Sequence, residues 1–367
     1  MEEEFLIYFN KKKALHNLFL LYLDSDENSL DNKNNLIKFI NSQKIQENRV
    51  EFEHFLRLLL VLTEHHHRQQ NFLDKIEQII SNFSNNIKQN FSFHEIMDIF
   101  YNCKQILLIL IKNKTIDLNE DFIKVIFREE EPIGTQYTHF LYNELTKCDS
   151  DLIAEIDLQT NGTDILINYD ENRQKGENES YICSLIRNDS IVEFISYVNK
   201  SNIPLDVDIE KSIFETNSIL NEKVPTLIEY ATFCGSVQIF QYLKINNVKL
   251  TPSLWIYAIH SNNAEMIHFL EESNVNPPDD SYEKCLEESI KCHHNEIASY
   301  FLEQKLENID ISKIYGYCFK YYNYLFLPSN FDYNLVSFYI CQYHYDNLVK
   351  ILVEKENNKL IQNKEIL

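Results

Sequence analysis

Apolar residues recur at helical spacing along most of the chain. From Phe72 to Phe83 they stand three or four positions apart, and the run from Gln105 to Lys112 is apolar on nearly every side. Such spacing places apolar side chains on one face of a helix, and a helix that is apolar all round is a buried one. The pattern therefore predicts an all-α fold.

Polar, turn-forming segments separate the predicted helices of the first half of the chain. Two helices begin at good N-cap residues, Ser92 with its partner Glu95 and Asn119. The predicted helices cover residues 4–23, 30–40, 50–65, 72–83, 92–100, 105–112, 122–127, 138–146 and 151–156.

One polar stretch divides the chain in two. Residues 168–180 read NYDENRQKGENES and contain almost no apolar side chain, which is typical of a linker or a long surface loop. We therefore predict a helical N-terminal region at residues 1–167, this linker or loop, a repeat region at residues 181–355 and a polar tail at residues 356–367. A polar end is what a stack of repeats needs for solubility.

A helix–turn–helix unit occurs twice between residues 224 and 275. Pro225 corresponds to Pro252 and Tyr230 to Tyr257, at a constant offset (252 − 225 = 257 − 230 = 27). Self-similarity at a fixed period is typical of stacked repeats, because one such unit cannot bury its apolar face alone. The sequence therefore predicts a solenoid of helix–turn–helix repeats.

Local signals set the ends of the helices in this unit. Thr226 and Glu229 form a capping box, Gly235 supplies the turn, and Asn247 suits a left-handed position at the end of the second helix. Trp255 falls on a core position of the first helix in the second copy, so we expect it to be packed.

This unit resembles the ankyrin repeat. The ankyrin pattern T-P-L-H-x-A-A-x-x-G-H corresponds to TLIEYATFCGS at residues 226–236, and V-V-x-L-L corresponds to IFQYL at residues 239–243. Leu227 stands where ankyrin repeats have Pro, and Glu229 where they have His. The unit is also shorter than the usual length of about 33 residues, which indicates trimmed hairpin fingers.

The sequence of the whole chain is similar to those of a large family of protozoan ankyrin-repeat proteins, which carry a helical N-terminal region of unknown function. GENESYICSLIRNDS at residues 176–190 and TPSLW at residues 251–255 are typical of that family. The resemblance implies a scaffold that binds partners on a concave face. That face is formed by the hairpin fingers that connect the repeats and by exposed positions of the first helices. By the repeat alignment those positions are Glu222, Lys223, Phe233, Cys234, Lys249, His260, Ser261, Lys291 and Cys292. For each of them the alternative interpretation is solvated surface that binds no partner.

The charge restricts the class of partner. With 34 basic and 56 acidic residues, the net charge is −22. Such a surface repels phosphate backbones and anionic lipids, so we predict no nucleic-acid and no membrane binding. A protein partner with a basic surface is compatible with it, and so is charge that serves solubility alone.

Cysteine use and the N-terminus indicate an intracellular, cytoplasmic chain. The eight cysteines are scattered without a C-x-x-C pair, as expected of reduced and mostly buried thiols. The acidic start, Met-Glu-Glu-Glu, lacks the basic segment of a secretory signal, and no apolar run approaches the roughly 18 residues of a membrane span.

Two histidine runs are ligand-like, but their spacing argues against a metal. His65–His67 are adjacent, so on a helix their rings splay apart instead of converging as residues i and i+4 do. Cys292–His294, with Cys285 before them, lack the paired short spacings of zinc sites and align with a turn between helices. The sequence predicts no metal site and no cofactor.

The predicted function is that of a non-catalytic protein–protein interaction scaffold, not of an enzyme. With five glycines the chain has no Gly-rich phosphate loop and no G-x-S-x-G motif. Two alternatives remain open: a structural module that self-associates through the aromatic-rich stretch at residues 311–345, and a metal-dependent enzyme that uses the histidine runs.

Overall fold

The computed structural model describes residues 2–25, 30–69, 71–126, 133–147, 168–328 and 333–353. Within these ranges the regular structure is helical, apart from one isolated antiparallel β-bridge. The all-α prediction is therefore confirmed. The short helix predicted at residues 151–156 and the polar tail lie outside the described residues.

The helices are numbered in chain order. They are α1 (Glu2–Leu23), α2 (Leu30–Ser42), α3 (Arg49–His65), α4 (Phe72–Asn90), α5 (Phe93–Phe100), α6 (Lys104–Lys112), α7 (Glu120–Ile126), α8 (Ile133–Phe140), α9 (Tyr142–Leu145), α10 (Tyr169–Lys175), α11 (Tyr181–Arg187), α12 (Ile191–Ser201), α13 (Ser218–Glu222), α14 (Leu227–Cys234), α15 (Val237–Ile245), α16 (Leu254–His260), α17 (Ala264–Glu272), α18 (Glu283–Lys291), α19 (Asn295–Gln304), α20 (Ile311–Lys320) and α21 (Tyr333–Gln342). Residues 346–353 are also helical.

The chain divides into two compact units. The first is drawn from Met1–Leu62, His66–Phe72 and Asn276–Leu367, and the second from Thr63–His65 and Leu73–Val275. Each unit combines helices from the N-terminal half with helices from the C-terminal half. Residues far apart in sequence therefore share one core in each unit.

Part of the stretch predicted as a linker is helix α10. Its Tyr169 is buried and donates a hydrogen bond to the carbonyl of Phe140 at 2.7 Å. Arg173, one turn later on the same face, is buried too and donates to the Glu144 carboxylate at 2.5 Å. The stretch predicted as a linker or loop is therefore helical at residues 169–175, because Tyr169 and Arg173 give this polar segment one buried face.

Three helix pairs follow one another in the second unit, α11 with α12, α14 with α15, and α16 with α17. Each first helix packs on the second helix of its pair, and α14 contacts both α11 and α16. Trp255 in α16 is fully buried, and its indole N–H donates to the carbonyl of Val275 at 2.9 Å. The expectation that this residue is packed is confirmed.

The first helix of a pair ends in a recurring left-handed residue. Along the chain these residues are Asp189, Gly235, Asn262, His293, Tyr322 and His344, with φ between 47° and 69°. At five of these six positions the next N–H donates to the carbonyl five residues earlier, at 2.9–3.0 Å, as in a Schellman ending. The same helix ending recurs at Tyr322 and His344 in the aromatic-rich region, where the sequence repeat is weak.

A hydrogen bond between successive pairs recurs at the same place. In three pairs, the side chain of the residue after the left-handed position donates a hydrogen bond to the previous pair. The acceptor is the backbone carbonyl three residues before the left-handed residue of that previous pair. The bonds are Ser236 to Ile186 at 2.5 Å in the second unit, and Asn323 to Ile290 at 2.8 Å and Tyr345 to Phe319 at 3.0 Å in the first. These pairs are therefore joined in the same way although their residues differ.

The predicted helix ends are confirmed where local chemistry sets them. Both capping boxes form, with Ser92 and Glu95 at the start of α5 and Thr226 and Glu229 at the start of α14. Asn247, after α15, is left-handed as predicted, with φ of 62°.

In the first unit, N-terminal helices pack on the C-terminal helix pairs. The ring of Phe9 in α1 meets the ring of Phe319 in α20, with centroids 5.8 Å apart. Lys12 in α1 and Glu51 in α3 form a buried ion pair at 2.7 Å, and Asn347 donates to the same carboxylate at 2.6 Å. One polar contact thus joins α1, α3 and the helical residues 346–353.

Thiols behave as the cysteine pattern predicts. None of the seven cysteines in the described part of the chain forms a disulfide. Five of them are buried, Cys234 is half-buried and Cys341 is exposed. Among the helices described here, none combines the length and the apolar character needed to cross a membrane.

Candidate functional site

The predicted partner-binding residues differ widely in exposure. Glu222, Lys223 and Lys249 are exposed, Phe233, Cys234, Ser261 and Lys291 are half-buried, and His260 and Cys292 are buried. His260 is inaccessible because its ring packs on the rings of Phe233 and His65, with centroids 6.0 and 6.3 Å apart. The buried pair therefore presents no side chain to a partner, and we leave both residues out of the proposed surface.

The exposed residues Glu222 and Lys223 lie in the long connection between α12 and α14. Its two ends pair briefly as antiparallel strands, with the Ile209 N–H donating to the Pro225 carbonyl at 2.9 Å. A small cleft lies beside this pairing, and its lining includes Lys211 and Val224. The lining of this cleft mixes polar side chains, such as Asn178 and Glu210, with apolar ones, such as Ile209 and Pro225.

Lys223 is attached to the capping box of α14. Its ammonium lies 3.3 Å from the carboxylate of buried Glu229, which also accepts from the Ser253 hydroxyl at 2.5 Å. Burial acts to raise the pKa of Glu229, but the hydrogen bonds from Ser253 and Thr226 and the Lys223 charge lower it overall. The cap of the helix therefore orients one of the predicted binding residues.

The aromatic-rich stretch lies mostly inside the first unit. Tyr315, Phe319, Tyr324 and Tyr345 are buried, while Phe338 is 64% exposed. Of the eleven rings described in this stretch, four are therefore buried in the core of this unit, six are half-buried and one is exposed.

A second candidate site, the histidine cluster, consists of His66, His67 and His294 together with Asp24. One side-chain nitrogen from each histidine lies within 4.8 Å of those of the other two. His66 and His294 are buried, and His67 is half-buried. All four residues belong to the first unit, so the cluster is internal to one compact body.

Hydrogen bonds orient the rings of the histidine cluster. Nδ1 of His66 is 2.9 Å from the carbonyl oxygen of Cys292, and Nε2 of the same ring is 2.9 Å from Oδ1 of Asp24. Nδ1 of His67 is 3.1 Å from Nε2 of His294. Cys292, predicted as a partner-binding side chain, contributes its backbone carbonyl here, and burial raises the pKa of its thiol well above the usual value.

The rings converge because His66 and His67 lie beyond the end of helix α3, whereas the spacing argument treated all three histidines as helical. His65 is its last residue, and His66 is extended, with φ −70° and ψ 146°. His66 and His67 therefore do not splay around a helix. His294 reaches them because it follows the left-handed residue His293, at the start of α19.

Two further buried histidines adjoin the cluster. Nδ1 of His293 lies 2.7 Å from Nε2 of His16. Burial, with a smaller contribution from neighbouring His66, lowers the pKa of His16 to about 3. His16 is therefore neutral at physiological pH, and these two rings share a proton in a hydrogen bond.

Comparisons with protein-family models, with curated proteins and with solved structures found no match to this chain.

Proposed function

We propose that this chain is a non-catalytic scaffold for another protein, built as an ankyrin-like solenoid and related to the protozoan ankyrin-repeat family that it resembles. The observation that carries the proposal is the recurring connection between helix pairs, made by Ser236, Asn323 and Tyr345 in equivalent positions. Stacked pairs of this kind create a long surface whose loops are free to vary, and repeat proteins use such surfaces for binding.

The proposed contact surface lies in the second unit, on the loops that precede first helices. Its exposed members are Glu222 and Lys223 before α14 and Lys249 before α16. The small cleft lined by Lys211 and Val224 adjoins the first two and adds polar and apolar side chains to this surface. A partner with a basic surface is compatible with the net charge of −22 of the whole chain. The three exposed residues named here are one glutamate and two lysines, so this preference rests on the whole chain and not on these residues.

The proposal is tested by capture of partners from native lysate, with each captured protein quantified by mass spectrometry. The surface variant combines Glu222→Ala, Lys223→Ala and Lys249→Ala. The control carries the same change of charge on second helices of the same unit, with Glu193→Ala, Lys200→Ala and Lys244→Ala.

We expect at least one protein to be captured by the intact chain and by the control, and to fall about tenfold or more with the surface variant. Circular dichroism should be the same for all three chains. A set of captured proteins that both variants reduce equally, or that neither reduces, would contradict the assignment of this surface.

A further inference from the structure

We propose that the histidine cluster binds a divalent metal ion of the zinc class, with His66, His67, His294 and Asp24 as ligands. The proposal is independent of the scaffold function, because all four residues lie in the first unit and the proposed contact surface lies in the second. It begins from the convergence of three imidazoles that come from two distant parts of the chain.

The spacing of the donor atoms suits a shared ion. Zinc binds imidazole nitrogen at about 2.0–2.1 Å in a tetrahedral arrangement, which places neighbouring ligand atoms roughly 3.3 Å apart. In the cluster, Oδ1 of Asp24 lies 2.9 Å from Nε2 of His66 and 3.7 Å from Nε2 of His67. Nδ1 of His67 lies 3.1 Å from Nε2 of His294. One ring offers one nitrogen to an ion, so His67 supplies either Nδ1, beside His294, or Nε2, beside Asp24. With either nitrogen, two pairs of neighbouring ligand atoms lie close to the expected spacing.

The donor types select the kind of metal. Three imidazoles with one carboxylate form a set that zinc and other late divalent transition metals prefer, whereas calcium and magnesium require mainly oxygen ligands. His66 and His294 are buried, so two of the four ligands are held within the protein before an ion arrives. Asp24 and His67 are partly exposed and provide the route of entry.

The hydrogen bond of His66 has the form of an outer-sphere contact. A carbonyl oxygen only accepts, so Nδ1 of His66 must carry the proton that it shares with Cys292. In the neutral ring, Nε2 then offers a lone pair and faces Oδ1 of Asp24, which is also an acceptor. A cation between these two acceptors would remove their mutual repulsion. Backbone carbonyls orient metal-binding histidines by accepting from the other ring nitrogen, as the Cys292 carbonyl does here.

A bound ion would join three segments of the first unit. Asp24 follows α1, His66 and His67 follow α3, and His294 lies between α18 and α19. The ion therefore acts as a structural clamp that holds N-terminal helices on a C-terminal helix pair. The competing explanation is a direct hydrogen bond between His66 and Asp24 that needs no metal.

The test uses the full chain, stripped with a chelator and titrated with Zn²⁺ against a chromophoric competitor. Co²⁺ serves as a spectroscopic probe, because a tetrahedral site gives it strong visible bands. The variants are His67→Gln and Asp24→Asn, both at partly exposed positions. The matched control is His268→Gln, which removes an exposed imidazole of the second unit.

We expect the intact chain and the control to bind one Zn²⁺ per chain and to raise their unfolding midpoint by at least about 3 °C when it is bound. Asp24→Asn should bind about tenfold or more weakly, and His67→Gln about a hundredfold or more weakly. Zinc affinity that is equal in the intact chain and in His67→Gln would overturn the proposal, as would an intact chain whose midpoint does not respond to zinc. If His67→Gln does not fold, Asp24→Asn gives the same decision.

Discussion

The left-handed residue that ends a first helix is filled by Asp189, Asn262, His293, Tyr322 and His344, and only at residue 235 by glycine. Non-glycine residues adopt this conformation when the surrounding hydrogen bonds and packing impose it. A Schellman bond follows Asp189, His293, Tyr322 and His344 and supplies that constraint at these four positions. Glycine at residue 235 is therefore one acceptable choice among several.

Gly176 is a different case. Its φ is 63°, and a Cβ there would lie 2.6 Å from Oγ1 of Thr216 and 2.7 Å from Cδ1 of Leu73. At Gly235 the nearest atom to a Cβ is Nδ2 of the Asn263 side chain, at 3.3 Å. Both glycines have a left-handed backbone, but only Gly176 lacks space for a Cβ. The same substitution at both positions therefore distinguishes the cost of the backbone conformation from the cost of a steric clash.

We predict that Gly235→Asn changes the free energy of unfolding by less than about 1 kcal/mol. Gly176→Asn should lower it by roughly 2–3 kcal/mol, because Thr216 and Leu73 must move away. Urea denaturation followed by circular dichroism measures both. Equal losses in the two variants would show that glycine is required by the backbone at residue 235 as well.

At the scale of elements, the buried pair of Lys12 and Glu51 connects α1 with α3. Lys12 is 2% exposed and Glu51 is 5% exposed. Burial acts to raise the pKa of Glu51, but the Lys12 ammonium and the hydrogen bond from Asn347 lower it to about 2. The carboxylate is thus charged in the folded protein at every ordinary pH.

The pair should make the first unit sensitive to acid. The folded-state pKa of Glu51 is about 2 and its ordinary value is 4.5, so the unfolded chain takes up the proton first as the pH falls. The stabilisation is complete above pH 4.5 and is lost as the pH falls through about 2. Glu51→Gln leaves Lys12 buried and should lower the unfolding free energy by about 3–5 kcal/mol at neutral pH.

The measurement compares the intact chain with Glu51→Gln by urea denaturation from pH 7 to pH 2. We expect the difference in unfolding free energy to shrink between pH 4.5 and pH 2, because only the intact chain has this carboxyl to protonate. A difference that stays constant over this range would mean that Glu51 is not held charged by Lys12.

Helix positions were predictable where adjacent residues determine them. The capping boxes at Ser92 and Thr226 act within four residues, so the sequence alone locates the starts of α5 and α14. Helix α10 was not predictable in this way, because the partners of Tyr169 and Arg173 lie about 30 residues away at Phe140 and Glu144.

The histidine cluster shows the same limit at a site. His66 and His294 are separated by more than 200 residues, so the spacing within each run does not show that the two runs meet. The useful signal was the end of α3 at His65, which releases the next two histidines from the helical arrangement. Of the predicted surface, Glu222 and Lys223 are exposed as expected, while the buried His260 depends on ring contacts from distant residues.

At the scale of the whole molecule, neither compact unit is a continuous segment of the chain. Helix α1 packs on α20 through Phe9 and Phe319, and Lys13 donates to the carbonyl of Leu327 at 3.3 Å. The C-terminal helix pairs of the first unit therefore use N-terminal helices to cover their apolar side chains. A boundary at residues 168–180 would instead allow the repeat region to fold by itself.

Thiol reactivity distinguishes these possibilities. Cys318 in the first unit and Cys183 in the second are both buried, burial raises the pKa of both thiols, and Cys341 is exposed. In a chain that lacks residues 1–47, we expect the alkylation rate of Cys318 to rise roughly tenfold or more, because α1 no longer covers α20. Cys183 should stay protected, and Cys341 should react in both chains. Peptide mass spectrometry gives each rate, and a Cys318 that stays as protected as Cys183 would mean that these helix pairs fold without α1 and α2.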